Sequence, residues 1–192
     1  GLVGSEMCIR DSQLEVLLTP NQDLLLANIG SNQRRGLREA LAALGFDTTE
    51  PPPPLVRHAI ACPALPTCGL AITESERILP EVLERLEGLM ARLEVTKPVL
   101  VRMTGCPNGC ARPYMAEIGL VGSGVDQYQL WLGGSPGLTR LARPWLEKMP
   151  LEEMESTLEP LLLACTQEGR ERSSFGDFVA GLDEDRVRAH LD

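Results

Sequence analysis

Cys62 and Cys68 bracket Pro-Ala-Leu-Pro-Thr, and Cys106 and Cys110 bracket Pro-Asn-Gly, so four of the six cysteines stand in two close pairs. Paired thiols serve three chemistries. Disulfides belong to oxidising compartments and mostly to small, cysteine-dense domains, and this chain bears neither mark. Structural zinc favours a C-x2-C knuckle, whose short loop closes a tetrahedral chelate on one ion; separations of five and three residues suit it poorly. An iron–sulfur cube spreads four iron corners over a larger body, so wider and unequal spacings fit it better. Proline directly after a cysteine, in Cys62-Pro63 and Cys106-Pro107, is also a feature of cluster-binding loops. The pattern favours a four-cysteine [4Fe–4S] site, with zinc and disulfides as the alternatives.

The remaining chemistry-bearing residues read more plainly. Cys165, in an apolar helical stretch, is a core thiol. His58 and His190 are the only histidines, and each reads as structural rather than as a ligand. Tyr114, Met115, Trp131 and Trp145 read as packing or domain-contact residues, and the glutamates around Met154 as a solvated helix face. Arg102 and Arg112 flank the second pair, either as anion contacts or as a surface or helix-end pair.

The chain around these residues is long enough to bury a core. No apolar run approaches a bilayer span, which argues against a membrane protein. The net charge of −9 argues against a nucleic-acid binder. That charge is uneven: residues 145–192 hold 12 acids against 5 bases, residues 57–143 hold 8 against 9, and the cysteine-bearing centre is therefore nearly neutral. The first dozen residues, GLVGSEMCIRDS, have neither the apolar region of a signal peptide nor the basic amphipathicity of a transit peptide. They read as a non-native end and are set aside together with Cys8.

From Leu14, LEVLLTPNQDLLLANI predicts a strand, a turn and a strand. SNQRRGLREALAALGF predicts a helix carrying Leu37, Leu41 and Leu44 on one face, capped by Ser31 or Asn32 and ended by Gly45. Glu50 to Pro54 predicts an extended connector that is neither helix nor central strand. Beyond it, RHAIAC predicts a short strand into Cys62, and residues 75–93 a helix with Ile78, Val82, Leu86, Leu89 and Leu93 on one face and Pro80 in its first turn. PVLVRM predicts a buried strand into Gly105-Cys106. AEIGLVG and QYQLWLGG predict two strands joined through Gly122, Ser123 and Gly124. Leu151 to Gln167 predicts a helix kinked at Pro160. The fold class is α+β.

ACPALPTCGLAITESER and RMTGCPNGCARPYMAEIGLVG resemble the two cluster motifs of the siroheme-containing sulfite and nitrite reductases. The likeness extends past the cysteines to Ala-Leu-Pro and Arg-Pro-Tyr-Met, and LWLGG and SFGDF are similar to that family's C-terminal segments. It is nearer to the ferredoxin-dependent assimilatory sulfite reductases than to the nitrite branch, and covers roughly residues 13–190. It implies that residues 13–50 form a ferredoxin-like half-domain, residues 51–54 a proline connector, and residues 55–192 a mixed α/β domain for a [4Fe–4S] cluster and siroheme, with residues 1–12 outside it. Cys62, Cys68, Cys106 and Cys110 match the cluster ligands, Cys110 the thiolate shared with the siroheme iron. Asn108 and the loop amides would donate to cluster sulfides, and a helical turn opening at Cys110 would favour its thiolate. The implied reaction is six-electron reduction of sulfite to sulfide, with ferredoxin as donor, in the cytoplasm or, for a plant or alga, the plastid stroma. The basic residues that such chemistry requires are expected in an N-terminal half of the same enzyme, so this segment alone is not expected to turn over. The alternatives are a nitrite reductase of the same family and a non-catalytic iron–sulfur or zinc module.

Overall fold

The structure, a computed structural model, describes residues 14–46, 50–168 and 174–191; the segment set aside, with Cys8, lies outside them. Two compact units divide between Pro52 and Pro53.

In the first unit, two short apolar runs give β1 (Glu15–Leu18) and β2 (Leu24–Ala27), antiparallel with Leu18 opposite Leu24. The Thr19 hydroxyl closes the turn, accepting from the amides of Asn21 (3.3 Å) and Asp23 (3.1 Å). Helix α1 (Arg34–Ala43) follows. Its cap position is held by Gln33, not by Ser31 or Asn32, and no side chain caps it. The Gln33 side chain instead accepts from the Gly30 amide at 3.0 Å, holding the approach to the helix. At the other end Gly45, at φ +89, sends its amide to the Ala42 carbonyl, and Phe46 sends its own to Leu41, both at 3.0 Å. This is the Schellman arrangement, which a left-handed glycine permits. No described residue of this unit is buried, and Leu18, Leu24, Leu25, Leu44 and Phe46 are exposed. A hairpin and one helix of this size enclose no core.

The second unit is built on a sheet of order β3-β4-β5-β6-β7. The proline run does not stay extended to its end: Pro54 opens helix α2 (Pro54–His58), where a missing amide costs nothing at the first helical position. Arg57 and His58 therefore finish a helix, and the expected RHAIAC strand shrinks to β3 (Ile60–Ala61). β4 (Val101–Thr104) and β5 (Ile118–Gly124) run parallel to it, with Ile60 beside Arg102 and Arg102 beside Gly119. β6 (Gln127–Leu132) returns antiparallel. The expected Gly-Ser-Gly connection is instead the bulged end of β5, and Val125 and Asp126 make the turn. β7 (Arg143–Pro150), which the sequence did not suggest, closes the sheet. RPWLEKMP carries two prolines and no clear alternation, and both are tolerated because β7 is an edge strand.

One face of the sheet presents Val101, Met103, Ile118, Leu120, Leu130 and Leu132 to the main core. Against it lie α3 (Leu79–Arg92), through Val82, Leu83, Leu86 and Leu89, and α4 (Met154–Glu168), through Leu158, Leu161 and Leu162. Pro80 occupies the second position of α3, and Pro160 lies inside α4. Arg85 joins the two helices, donating to the Glu155 carboxylate at 2.9 Å and the Leu151 carbonyl at 3.0 Å. Two shorter helices end the chain: α5 (Phe175–Ala180), capped by the Ser174 hydroxyl, and α6 (Glu184–Leu191). Among the described residues no helix is long and apolar enough to cross a membrane.

Candidate metal centre

Because β3 and β4 are parallel neighbours, both end at the same edge of the sheet, one running into Cys62 and the other through Gly105 into Cys106. The two exits are bonded to each other. The Cys62 amide donates to the Met103 carbonyl at 3.2 Å, and the Gly105 amide donates to Cys62 Sγ at 3.3 Å. The Gly105 carbonyl accepts from Ile72 (2.8 Å) and Thr73 (3.2 Å), just past the first pair. A Cβ on Gly105 would stand 2.5 Å from the Thr73 oxygen and 2.6 Å from the Ala64 methyl; one on Gly122 would stand 2.4 Å from the Gly105 oxygen. Only glycines allow three backbones to meet here.

The first loop is closely stitched. Cys68 donates to Ala64 (2.7 Å), Ala71 to Cys68 (3.2 Å) and Glu76 to Cys62 (3.1 Å), all backbone to backbone. The Ser75 hydroxyl donates to Met103 at 2.8 Å, and the buried Tyr128 hydroxyl to the Glu74 carbonyl at 2.8 Å. Burial pushes the Tyr128 phenol up to about 12, with the charges of Asp126, Glu74 and Cys62 acting the same way and its bond with Thr73 opposing. Cys62 packs among Ile60, Ala64, Ala71 and Ala111, so mostly methyl-sized groups surround the thiol.

The second loop is more open. Cys106 is buried at 7% exposure, whereas Pro107, Asn108 and Cys110 are exposed. Gly109 takes φ +68, and its amide reaches the Cys106 carbonyl only at 3.5 Å. Cys110 does not open a helix. It lies in a turn closed by the Arg112 amide on the Gly109 carbonyl at 2.8 Å. Arg112 is left-handed at φ 56, although a following proline ordinarily pushes a residue to the extended region. The helix that follows is one 3₁₀ turn, Pro113–Met115, so no helix dipole serves the Cys110 thiol. The Tyr114 hydroxyl donates to the Pro107 carbonyl at 2.7 Å, and its ring meets Trp131 edge-on with centroids 4.5 Å apart. Burial, and then the neighbouring Cys106, push the Tyr114 phenol up.

Arg102 is 2% exposed, on the sheet face opposite the main core. It donates to the Arg112 carbonyl at 3.4 Å, forms no ion pair among the described residues, and leaves its Nε unpartnered. Burial, and then repulsion from Arg112, lower its pKa. Neither histidine joins the site: His58 ends α2 exposed and His190 lies in α6. Cys165 is half-buried beside the core, and Trp145 lies on β7 under the Arg188 guanidinium, 5.9 Å from the ring centroid. Sequence reasoning passed over Glu117. It is 1% exposed, and its two carboxylate oxygens accept from the amides of Leu100 and Gly176, each at 2.8 Å. Burial outweighs these bonds and raises its pKa. The signal was a single acid at the head of the apolar run IGLVG.

Among the described residues no three side chains of His, Cys, Asp or Glu gather closely enough to hold one metal ion. Four thiols on two bonded loops, with an N–H···S bond already in place, are a donor set that suits a larger, sulfur-bridged iron body.

Residues 54–192 match the family described as the nitrite and sulphite reductase 4Fe-4S domain. A ferredoxin sulfite reductase of Synechococcus elongatus is 48% identical over 92% of the chain, which covers 28% of that protein. The sulfite reductase NADPH hemoprotein beta-component of Methylorubrum extorquens is 42% identical over 84% of the chain, which covers 26% of it. The chain thus spans less than a third of the length of these curated relatives. The solved Mycobacterium tuberculosis NirA protein superposes on 97% of the chain with a TM-score of 0.76 at 24% identity, the chain covering 36% of it, a likeness of fold.

Proposed function

The chain belongs to the nitrite and sulphite reductase 4Fe-4S domain family, and on that premise we propose that it is the cluster-bearing part of a sulfite reductase, reducing sulfite to sulfide with electrons from ferredoxin. In this reading Cys62, Cys68, Cys106 and Cys110 hold a [4Fe–4S] cluster, and Cys110 also faces a siroheme. The cofactors supply single-electron storage and the iron at which sulfite is reduced.

The unequal exposure of the four thiols carries the reading. Cys62 and Cys106 are buried and Cys68 is half-buried, as suits sulfurs that hold only a cluster corner, while Cys110 is open and its sulfur can be shared with a second group. The protein's own part is to set these sulfurs. The Gly105 amide fixes Cys62 through its N–H···S bond, and such bonds raise a cluster's reduction potential. Asn108, at the exposed tip of the second loop, is free to donate outward. Binding and protonating an anion needs a ring of cations. The nearly neutral centre of this chain does not supply one, so a further part of the enzyme provides it.

The test is made on the complete protein carrying this segment, purified without oxygen. Expected are about five irons per chain, four in the cluster and one in the siroheme, about four acid-labile sulfides, a siroheme absorption band, and oxidation of reduced ferredoxin that depends on sulfite. A protein that holds cluster and siroheme but turns over nitrite in place of sulfite would overturn the substrate; one that holds neither would overturn the reading.

A further inference from the structure

We propose that Tyr114 is a positioning residue for Cys106 and Cys110, one side chain that spans the loop between them and sets the aim of both thiols. The proposal rests on the reading of those thiols as cluster ligands. Between the two cysteines little else holds the loop: Pro107 and Asn108 are exposed, the backbone bond across it is at 3.5 Å, and the 2.8 Å bond from Arg112 to Gly109 secures only its far end. Tyr114 reaches both halves. Its hydroxyl donates to the Pro107 carbonyl at 2.7 Å, next to Cys106. Its ring lies over Gly109, next to Cys110, where an added Cβ would meet Cε2 at 2.6 Å and Cζ at 3.3 Å.

The tyrosine is itself anchored to the sheet. Its ring sits edge-on to Trp131 of β6, whose indole donates to Gln129 at 3.0 Å, and its carbonyl accepts from the Ala142 amide at 2.8 Å. Gly119 of β5 lets the 3₁₀ turn settle on the strand, for a Cβ there would stand 2.4 Å from the Pro113 oxygen. A rigid path therefore runs from the sheet through one aromatic ring to the loop. A leucine at position 114 would fill the space but leave the Pro107 carbonyl without its bond, and phenylalanine isolates that bond by keeping the ring.

The complete protein is compared with its Tyr114→Phe and Tyr114→Leu variants, by the electron paramagnetic resonance of the reduced cluster, by redox titration, and by the rate of cluster loss to an iron chelator. Tyr114→Phe is expected to shift the signal and the midpoint potential and to speed cluster loss about tenfold, the low end for removing a bond that orients a metal ligand; Tyr114→Leu goes further. A Tyr114→Phe protein with unchanged signal, potential and loss rate overturns the proposal while leaving the cluster assignment intact, and so does one in which only the thermal midpoint moves. An unaltered protein that never holds a cluster overturns the assignment, and this proposal with it.

Discussion

The two cysteine loops leave neighbouring strands at the same edge of one sheet, yet they are secured differently. The first is held by backbone: its cysteines and the residues after them exchange bonds among Cys62, Ala64, Cys68, Met103 and Gly105, and Tyr128 adds a hydroxyl from β6. The second has a short backbone bond only at its far end, from Arg112 to Gly109, and its tip is held by one short bond from the Tyr114 side chain. Backbone bonding fixes a loop whatever occupies it, whereas a single side chain holds a loop whose tip must stay open. The difference matches the difference in exposure, both first-loop thiols being at least half-buried and Cys110 being exposed.

The largest effect is expected where that openness is used. In the complete protein, Cys110→Ser is expected to abolish sulfite-dependent oxidation of reduced ferredoxin and to remove the spectroscopic coupling of cluster and siroheme. Full activity in this variant would break the comparison outright. Next comes Gly105→Ala, whose Cβ strikes backbone in the first loop and a methyl that cannot retreat. A loss of about 1–3 kcal/mol, read from the urea midpoint, is expected for such overpacking. An alkaline titration probes the stitching of the first loop. Because the Tyr128 phenol is raised to about 12, the folded chain keeps a proton that the unfolded chain releases near pH 10. Stability therefore falls as pH rises from about 10 to about 12, by up to about 2–3 kcal/mol. Tyr128→Phe is expected to flatten that part of the slope; identical slopes would show that the phenol does not couple to folding.

Gly109→Ala sharpens the contrast at a smaller scale. It forces a Cβ into a left-handed residue and onto the Tyr114 ring, at about 1–2 kcal/mol. Because the obstacle is a side chain, the cost is expected to shrink when Tyr114→Leu is present, a coupling that a double-mutant cycle reads directly. The smallest effect is reserved for Cys165→Ala, outside both loops. About 1 kcal/mol of stability is lost with a small cavity, and sulfite turnover is retained.

Where periodicity is strong, the sequence is a good guide to this fold. The apolar face of α3 follows from spacing, and β1, β2 and β4 from short apolar runs, the first two of them bounded by turn residues. The failures occur where a local rule gave way to its surroundings. Glu50 to Pro54 predicts an extended connector, but Pro54, at a first helical position, begins a helix. β7 hid behind two prolines because an edge strand makes fewer demands. For the candidate site, the spacing of four cysteines and their place after predicted strands were visible, and the parallel pairing of β3 and β4 puts the loop starts side by side. Gly105 as the junction of three backbones, the Tyr114 hydroxyl on Pro107 and the paired amides on Glu117 were not visible. Each depends on residues far apart in the chain meeting at one atom, and no short window records that.

The Glu117 carboxylate bears on the order in which this unit can be completed. It heads β5, in the middle of the sheet, but one of its two amide partners belongs to Gly176, 59 residues later. A chain made from its N-terminus exposes or buries that acid half-satisfied until the last helices have been synthesised. The centre of the sheet thus waits on its own C-terminal end. A nascent chain arrested before residue 176 is expected to carry, just ahead of β5, an acid that still seeks water.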